Sequence, residues 1–235
     1  MANTAPRWKR RERNKGRPQG HAARDIASAK LISAQNELLQ LYFVRHGGTA
    51  WSLSGQHTGR TDIPLTAEGK DQARELRPWL RTIPFTHVLT SPRRRARRTC
   101  ELVGLLSVTE IEPDLCEWDY GDYEGLRSED ICKGRPGWNI FRDGCPHGDS
   151  TDQILERADR LIARLRTFRG KVALFSHGQF GRVLAARWIG APVLEGQHLA
   201  LDAASLSILG HEPHHPETPV IALWNAAPRS LTKSQ

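Results

Sequence analysis

The sequence predicts an α/β fold, a three-layer sandwich in which helices flank a mostly parallel sheet. Two observations lead to this prediction. Short apolar runs stop abruptly at glycine or polar residues, which is typical of buried strands that end in loops. Segments with helical character alternate with these runs, and such alternation favours a parallel sheet that is covered on both faces. The clearest runs lie at 41–44 and 172–176, and a further strand is expected at 86–90.

The other elements follow in chain order. Thr66 is a candidate N-cap and Glu68 lies in the first turn after it, so a helix is expected over 67–81. One helix should follow the strand at 86–90, and another should follow the strand at 172–176. A third helix should lie between these two strands in the sequence. These elements are helices over 93–105, 150–168 and 180–189, with weaker strands near 205–209 and 219–224.

The charge of the chain divides it into two parts. The net charge is +8 over 235 residues, and nine basic against three acidic residues give residues 1–40 a charge of +6. Residues 1–24 are polar, basic and interrupted by proline and glycine, so they bury too little apolar surface to fold. We predict a basic, disordered extension over 1–40, with a short helix over 25–39, and one folded domain over 41–235.

The composition argues against several classes of protein. The chain has no apolar run of about 18 residues, so we expect no membrane span. No apolar segment follows the basic start, so we expect a cytoplasmic protein, with an organelle address as the alternative. The four cysteines lack the spacing of a zinc site. Because the body is nearly neutral and its tryptophans are dispersed, nucleic acid is not the expected partner.

Two histidine motifs follow predicted strands. Arg45-His46-Gly47 ends the first strand, and His177-Gly178 ends the third. Ligands of open α/β sheets bind at the carboxyl ends of the strands, so the two histidines should converge on one crevice. Glycine after each histidine lets the backbone approach a ligand closely. We therefore expect a site with paired imidazoles at this edge of the sheet.

Arginines near both motifs indicate a phosphate ligand. Arg45 precedes the first histidine, and a run of arginines from Arg93 to Arg95 follows the second strand. The planar guanidinium suits phosphate oxygens, and a histidine can accept a phosphoryl group as a nucleophile. Such chemistry also needs a general acid for the leaving group. The segment 115–125 offers four candidates, and spacing alone does not choose among them: Glu117, Asp119, Asp122 and Glu124.

Five sequence blocks, in order, resemble the histidine phosphatase superfamily, in the branch that includes cofactor-dependent phosphoglycerate mutase. They are distributed in order along residues 41–225, nearly the whole predicted domain. A single Arg-His-Gly triplet would be weak evidence, whereas five ordered blocks are specific. The blocks are Arg45–Thr49, Thr58–Gly69, Ser91–Ala96, Glu117–Gly125 and Phe175–Gly178.

The resemblance implies a phosphoglycerate mutase-like fold and roles for individual residues. His46 would be phosphorylated, while Arg45, Arg95 and His177 would hold the transferring group. Glu117 would donate a proton to the leaving group and then activate water. The resemblance implies neither a metal nor a cofactor, because cationic side chains supply the electrostatic stabilisation. The substrate-binding residues would be Ser52, Thr58, Gly59, Gly178 and Gln179.

The same resemblance favours a phosphatase over a mutase. Tyr123-Glu124-Gly125 is similar to the phosphatases, and the 51 residues between Gly125 and His177 are too few for the long insert of the mutases. The chain departs from the usual family pattern just after the first motif, where Gly48 and Ser52 replace larger polar residues. The segment around Ser52 is similar to broad acid phosphatases and sedoheptulose bisphosphatase.

Two alternative functions and one alternative site remain beside this interpretation. A mutase is one, and a non-catalytic binding protein on the same scaffold is another. The third concerns the histidines at 211, 214 and 215, which we interpret as part of a polar, proline-rich loop between two weak strands rather than as a metal site. The predicted partner of the protein is a small phosphorylated metabolite, and a homodimer is left open.

Overall fold

The three clearest predicted strands lie side by side in the computed structural model, which describes Met1 and residues 38–228. They are the centre of a six-stranded sheet with the order β3-β2-β4-β1-β5-β6. Strands β1 to β4 run parallel, and β5 runs antiparallel to both of its neighbours. The prediction of an α/β fold with a mostly parallel sheet is therefore confirmed. The strands are β1 (Gln40–Arg45), β2 (His87–Thr90), β3 (Thr109–Ile111), β4 (Lys171–Ser176), β5 (Leu206–Glu212) and β6 (His215–Ala226).

Two strands differ from the sequence prediction. Strand β3 was not predicted, because its three residues are polar or exposed and form no apolar run. The hairpin of β5 and β6 is longer than expected and includes His211 and His215, so the prediction of a polar loop there was wrong except at the turn around His214. Strand β6 lies at the edge of the sheet, where its prolines need not donate to a neighbouring strand.

The central strands bury both of their faces. In β1, Leu41 and Phe43 belong to one hydrophobic cluster, while Tyr42 and Val44 belong to another. Strand β4 divides its side chains between the same two clusters. Successive side chains of a strand point to opposite faces, so these two clusters are the cores above and below the sheet. This arrangement gives the three layers.

Eight α-helices cover the sheet and its loops in the described part of the chain. The first cluster includes residues of the helices over 151–165 and 178–188, and the second includes Leu76 and residues of the helices over 77–80 and 94–103. The helices are α1 (Ala50–Ser54), α2 (Ala67–Glu75), α3 (Arg77–Leu80), α4 (Arg94–Val103), α5 (Ser128–Gly134), α6 (Ile140–Asp143), α7 (Thr151–Leu165) and α8 (Gly178–Trp188).

The helix predicted over 67–81 is interrupted. It forms as α2 and α3 with Leu76 between them, and Pro78 lies in the first turn of α3. Proline has no backbone N–H and its ring collides with the preceding turn of a continuous helix, so the chain starts a new helix instead. Helix α7 begins as expected, with a capping box between Ser150 and Gln153.

Some predictions concern parts of the chain that lie outside the described residues. These are the disorder of residues 1–24 and nearly all of the helix over 25–39. Leu38 and Leu39 are described, and they precede β1 without helical structure. Across Met1 and residues 38–228, no helix is long and apolar enough to cross a membrane.

Candidate active site

The two histidines meet because their strands are neighbours in register. Arg45 pairs with Ser176 at the ends of β1 and β4, and the His46 amide donates to the Ser176 carbonyl oxygen at 3.0 Å. His46 and His177 therefore leave the sheet at the same edge. Their ring centroids are 5.2 Å apart, with an angle of 65° between the ring planes. The structure brings together the two motifs that the sequence separates by 131 positions.

The surroundings of His46 keep its ring neutral and oriented. Its Nδ1 lies 2.8 Å from the Gly47 carbonyl oxygen. A carbonyl oxygen can only accept, so Nδ1 carries the hydrogen and Nε2 keeps its lone pair. Burial lowers the pKa of His46 well below its usual value, and the nearby guanidinium groups of Arg95 and Arg45 lower it further. A neutral ring with a free Nε2 is the form that can act as a nucleophile.

His177 is fully buried and is held through both ring nitrogens. Arg95 Nε donates to His177 Nδ1 at 3.2 Å, so this nitrogen is an acceptor. The hydrogen then lies on Nε2, which donates to the Ser91 hydroxyl oxygen at 2.8 Å. Burial lowers the pKa of His177 well below its usual value, and the charge of Arg95 adds to this effect. In this arrangement the ring cannot rotate without losing two hydrogen bonds.

Arg95 links the histidine pair to the loop over 58–61. It is fully buried, and its Nη atoms donate to three backbone oxygens of that loop, at Thr58, Gly59 and Thr61. The distances are 2.9 to 3.1 Å. The side chain therefore fixes this loop while its charge acts on His46. The predicted contact of Arg95 with a phosphoryl group stays a prediction.

Arg45 has a free donor next to His46. One Nη atom donates to the Leu201 carbonyl oxygen, whereas Nε is buried and has no hydrogen-bond partner among the described residues. The guanidinium lies against Gly178, where an added Cβ would stand 3.2 Å from the Arg45 Cζ atom. An unpaired buried N–H of a charged group is costly, and the guanidinium to which it belongs lines the cavity, where it can bind an anion.

Glu117 is held at the N-terminus of α8. Its Oε1 accepts from the Trp118 amide at 3.0 Å and from the Phe180 amide at 2.8 Å, and its Oε2 accepts from the Gln179 amide at 3.0 Å. The side chain is 9% exposed. These three donors fix the position of the carboxylate at the cavity wall, since free amides at a helix start favour an acidic group.

The other three acidic candidates are occupied elsewhere. Asp119 forms an ion pair with Arg60 at 2.8 Å, and Asp122 lies 2.9 Å from the exposed His147. Glu124 accepts from the amides of Gly59 and Thr61, so it shapes the loop over 58–61. Of the four candidates that the sequence left open, only Glu117 lines the cavity beside His46.

A cavity of about 270 Å³ contains most of the predicted residues. Arg45, His46 and Glu117 line it, whereas His177 and Arg95 are fully buried and are not part of its wall. The predicted substrate-binding residues Ser52, Thr58, Gly178 and Gln179 also line it.

Two of the predicted substrate-binding residues use their polar groups in hydrogen bonds within the protein. The Gly59 residue is absent from the cavity wall, and its amide donates to Glu124 at 2.9 Å. A Cβ at this position would overlap the Trp118 carbonyl oxygen, so glycine is needed for close packing of two loops. Ser52 lines the cavity, but its hydroxyl completes a capping box with Thr49.

The sequence analysis did not identify several residues of the cavity wall. His57 lies parallel to the Tyr120 ring, with the ring centroids 4.6 Å apart, and its Nε2 is 3.1 Å from the Ser128 hydroxyl oxygen. Burial lowers the pKa of His57 to about 4. Its place within Gln56-His57-Thr58 is the signal that could have identified it. The wall also includes Gln56, Arg182 and Leu201.

A second cavity, of about 390 Å³, adjoins the first. The two share His57, Ser128, Gln179 and Arg182 in their walls. Arg182 donates to the Gly196 and Gln197 carbonyl oxygens and to Gln179 Oε1, which fixes it at the boundary. Apart from Arg182, the described residues in the wall of the second cavity include no Asp, Glu, Lys or Arg side chain. Most of its other side chains form hydrogen bonds or present aromatic rings. These are Trp138, Asn139, Ile140, Phe141, Gln197 and His198.

Comparisons with known proteins agree with this geometry. The chain is 41% identical over 177 residues to an acid phosphatase of Mycobacterium tuberculosis, covering 74% of this chain and 87% of that protein. It is 39% identical over 183 residues to the sedoheptulose 1,7-bisphosphatase of Saccharomyces cerevisiae, covering 64% and 67%. A probable phosphoglycerate mutase of Salmonella arizonae is 31% identical, covering 74% of this chain and 86% of that protein.

A solved structure and a family model cover the same region. The structure of the open reading frame Rv3214 from Mycobacterium tuberculosis superposes with a TM-score of 0.75 at 38% identity, over 82% of this chain and 98% of that one. The model of the histidine phosphatase superfamily (branch 1) matches residues 41–226, which include both histidine motifs, the arginine run and the Glu117 segment. The chain therefore belongs to branch 1 of the histidine phosphatase superfamily.

Proposed function

We propose that the protein hydrolyses a small phosphomonoester, in the class of sugar phosphates, through a phosphohistidine at His46. In the first step the His46 Nε2 lone pair forms a bond to phosphorus while the bond from phosphorus to the ester oxygen breaks. The leaving oxygen takes a proton from the Glu117 carboxyl group. In the second step Glu117 accepts a proton from water, and the water oxygen displaces His46 from phosphorus, releasing inorganic phosphate.

The arrangement of the His46 ring is the observation on which this proposal depends. Its Nδ1 hydrogen is directed to the Gly47 carbonyl oxygen, so Nε2 has the free lone pair. The Arg45 guanidinium lines the same cavity and supplies positive charge and donors for the phosphoryl oxygens. The transition state of phosphoryl transfer is stabilised by positioning and by positive charge, and both are available here without a metal.

The position of Glu117 suits proton transfer to the leaving group. Its Oε1 accepts two amide hydrogens, whereas Oε2 accepts only one, from Gln179. We assign the transferred proton to Oε2, because this oxygen has the spare lone pair. The same atom can take the proton of the attacking water in the second step, as microscopic reversibility requires.

The second cavity supports the substrate class. A leaving group attached to a phosphoryl at His46 would extend past His57 and Gln179, which both cavities share. The amide side chains of Asn139, Gln179 and Gln197 suit a polyhydroxylated group, since they can donate to and accept from hydroxyls, and the rings of Trp138 and Phe141 also line this cavity. The relative from Saccharomyces cerevisiae is named for a sugar bisphosphate. A panel of metabolite phosphates, compared by kcat/KM, would rank the candidates.

Hydrolysis of p-nitrophenyl phosphate in EDTA tests the chemistry. We expect the wild-type protein to hydrolyse p-nitrophenyl phosphate in the presence of the chelator, because the proposed mechanism contains no step that needs a metal. The His46→Ala variant should lose turnover and also the acid-labile phosphate label that wild type acquires during the reaction. Activity only with added metal, or a His46→Ala variant that still turns over, would contradict the mechanism.

The two alternatives predict different results in the same assay. A mutase would transfer the phosphoryl group to an added hydroxyl acceptor more rapidly than to water. A binding protein on this scaffold would show no turnover with any phosphomonoester. The cytoplasmic location, the absence of a cofactor and the homodimer stay predictions from the sequence.

A further inference from the structure

We infer that Arg157 is a positioning residue, which with Asp149 holds Glu117 where it can protonate the leaving group. This inference depends on the proposed function, since it assumes that Glu117 is the general acid. Arg157 lies in α7, outside the cavity wall, and belongs to none of the sequence motifs. Three sets of contacts connect it to Glu117.

The first contacts are to the backbone on either side of the Glu117 Cα atom. Arg157 Nη1 donates to the Cys116 carbonyl oxygen at 2.6 Å, and Nη2 donates to the Glu117 carbonyl oxygen at 3.1 Å. The two bonds come from one rigid guanidinium plane. They fix the orientation of two consecutive peptide groups, and therefore the direction in which the Glu117 side chain leaves the backbone.

Asp149 supplies the second set of contacts. Its Oδ2 accepts from Arg157 Nη2 at 2.9 Å and from the Asp119 amide at 3.0 Å. Its backbone pairs with the same segment, because the Asp149 amide donates to the Asp119 carbonyl oxygen and Trp118 Nε1 donates to the Asp149 carbonyl oxygen, both at 2.9 Å. Asp149 therefore joins Arg157 to the residues that follow Glu117.

The third contact is made to Phe180, whose amide binds the Glu117 carboxylate. The Arg157 guanidinium carbon lies 4.7 Å from the centre of the Phe180 ring. The Phe180 amide is the closest donor to the Glu117 carboxylate, at 2.8 Å. Arg157 thus packs on the residue that binds the Glu117 carboxylate and also binds the Glu117 backbone.

The placement of Arg157 suits a rigid support rather than a surface ion pair. Its side chain is 13% exposed, and that of Asp149 is 24% exposed. By contrast, the neighbouring Arg160 pairs with Asp114 through two bonds of 2.8 Å while 61% exposed. Arg160 lies on the same helix and binds no part of the Glu117 segment, so it provides a matched control.

The leaving group gives the sharpest readout. An alkoxide is strongly basic and must be protonated as it leaves, whereas p-nitrophenolate leaves without a proton. Loss of a correctly placed general acid therefore slows the hydrolysis of an alkyl phosphate much more than that of p-nitrophenyl phosphate. A variant that merely destabilises the fold lowers the rates with both substrates by the same factor. The ratio of kcat/KM values for the two substrates separates these effects.

The experiment compares Arg157→Met, Asp149→Asn, Glu117→Gln and Arg160→Met with wild type, using glycerol phosphate and p-nitrophenyl phosphate. For Arg157→Met we expect kcat/KM to fall on the order of tenfold or more with glycerol phosphate and less than threefold with p-nitrophenyl phosphate. Arg157→Lys should recover part of the loss, since a positively charged donor group remains although the planar pair of nitrogens is lost. Arg160→Met should keep both wild-type values.

The outcomes separate the inference from the proposed function. An equal loss with both substrates in Arg157→Met and Asp149→Asn, or no loss in either, would overturn the positioning role. Glu117→Gln tests the assignment on which it depends, with an expected loss on the order of 10²-fold for glycerol phosphate alone. If Glu117→Gln shows no such preference, the general acid is wrong. Asp149→Asn keeps an acceptor oxygen but removes the charge that faces Arg157, so it should show the same preferential loss with glycerol phosphate at a smaller size, and it gives the answer if Arg157→Met does not fold.

Discussion

Acid should destabilise this protein, and His57 should account for a defined part of the effect. Burial lowers the pKa of His57 from 6.5 to about 4. Between these values the unfolded chain binds a proton at this position and the folded chain does not. Stability therefore rises with pH through this window, is complete above pH 6.5, and is lost as the pH falls. For this group alone, the loss between pH 7 and pH 5 is about 2 kcal/mol.

The His57→Gln variant isolates that contribution. Glutamine keeps a polar group near Ser128 but does not ionise, and it loses the contact with the Tyr120 ring. We expect a lower free energy of unfolding at pH 7, but a difference between pH 7 and pH 5 that is smaller than in wild type by about 2 kcal/mol. Part of the acid sensitivity should persist, because the pKa values of His46 and His177 are also lowered by burial.

Urea unfolding followed by tryptophan fluorescence at pH 7 and pH 5 measures both quantities. The exposed His214, in the turn between β5 and β6, provides the control. His214→Gln should keep the pH dependence of wild type. If His57→Gln also keeps the full wild-type difference, then His57 is not buried as a neutral ring, and the reasoning from its burial is refuted.

Three further substitutions test other parts of the site. Gly59→Ala places a Cβ against the Trp118 carbonyl oxygen and should lower stability by about 1–3 kcal/mol in a urea titration; an unchanged midpoint would contradict this close packing. Ser91→Ala leaves the buried Nε2–H of His177 without an acceptor and should reduce kcat about tenfold at unchanged fold, judged by circular dichroism. Arg45→Lys removes the planar donor group, so competitive inhibition by inorganic phosphate should weaken about tenfold; equal inhibition would show that Arg45 does not bind the phosphoryl group.

The sequence was sufficient to predict the centre of the fold and the meeting of the two histidines. Buried parallel strands need apolar residues on both faces, so β1, β2 and β4 are visible as apolar runs. The carboxyl ends of neighbouring parallel strands share one edge, which places His46 beside His177. The helix over 67–81 was predicted without a break, although the missing N–H of Pro78 explains why the chain starts a new helix there.

Contacts between distant segments could not be predicted in the same way. Arg157 reaches a carbonyl oxygen 40 positions away, and Asp149 accepts from an amide 30 positions away, with no periodic pattern to indicate either pairing. Spacing left four acidic candidates, and the choice of Glu117 needed the resemblance. Strand β3 was missed because an edge strand with exposed side chains has no apolar signature.

The phosphoryl-binding half and the leaving-group half of the site come from different parts of the fold. Substrate range should therefore change more easily in evolution than the reaction itself. The phosphoryl half follows β1 and β4, which have strands on both sides. The leaving-group half comes mainly from loops and short helices over 52–61 and 128–141, together with Gln179, Arg182, Gln197 and His198, and none of these residues lies in a strand of the sheet. Insertions or exchanges in these peripheral segments would give a new substrate range while leaving the nucleophile undisturbed. A change of reaction would require substitutions next to β1 and β4, the buried central strands of the sheet.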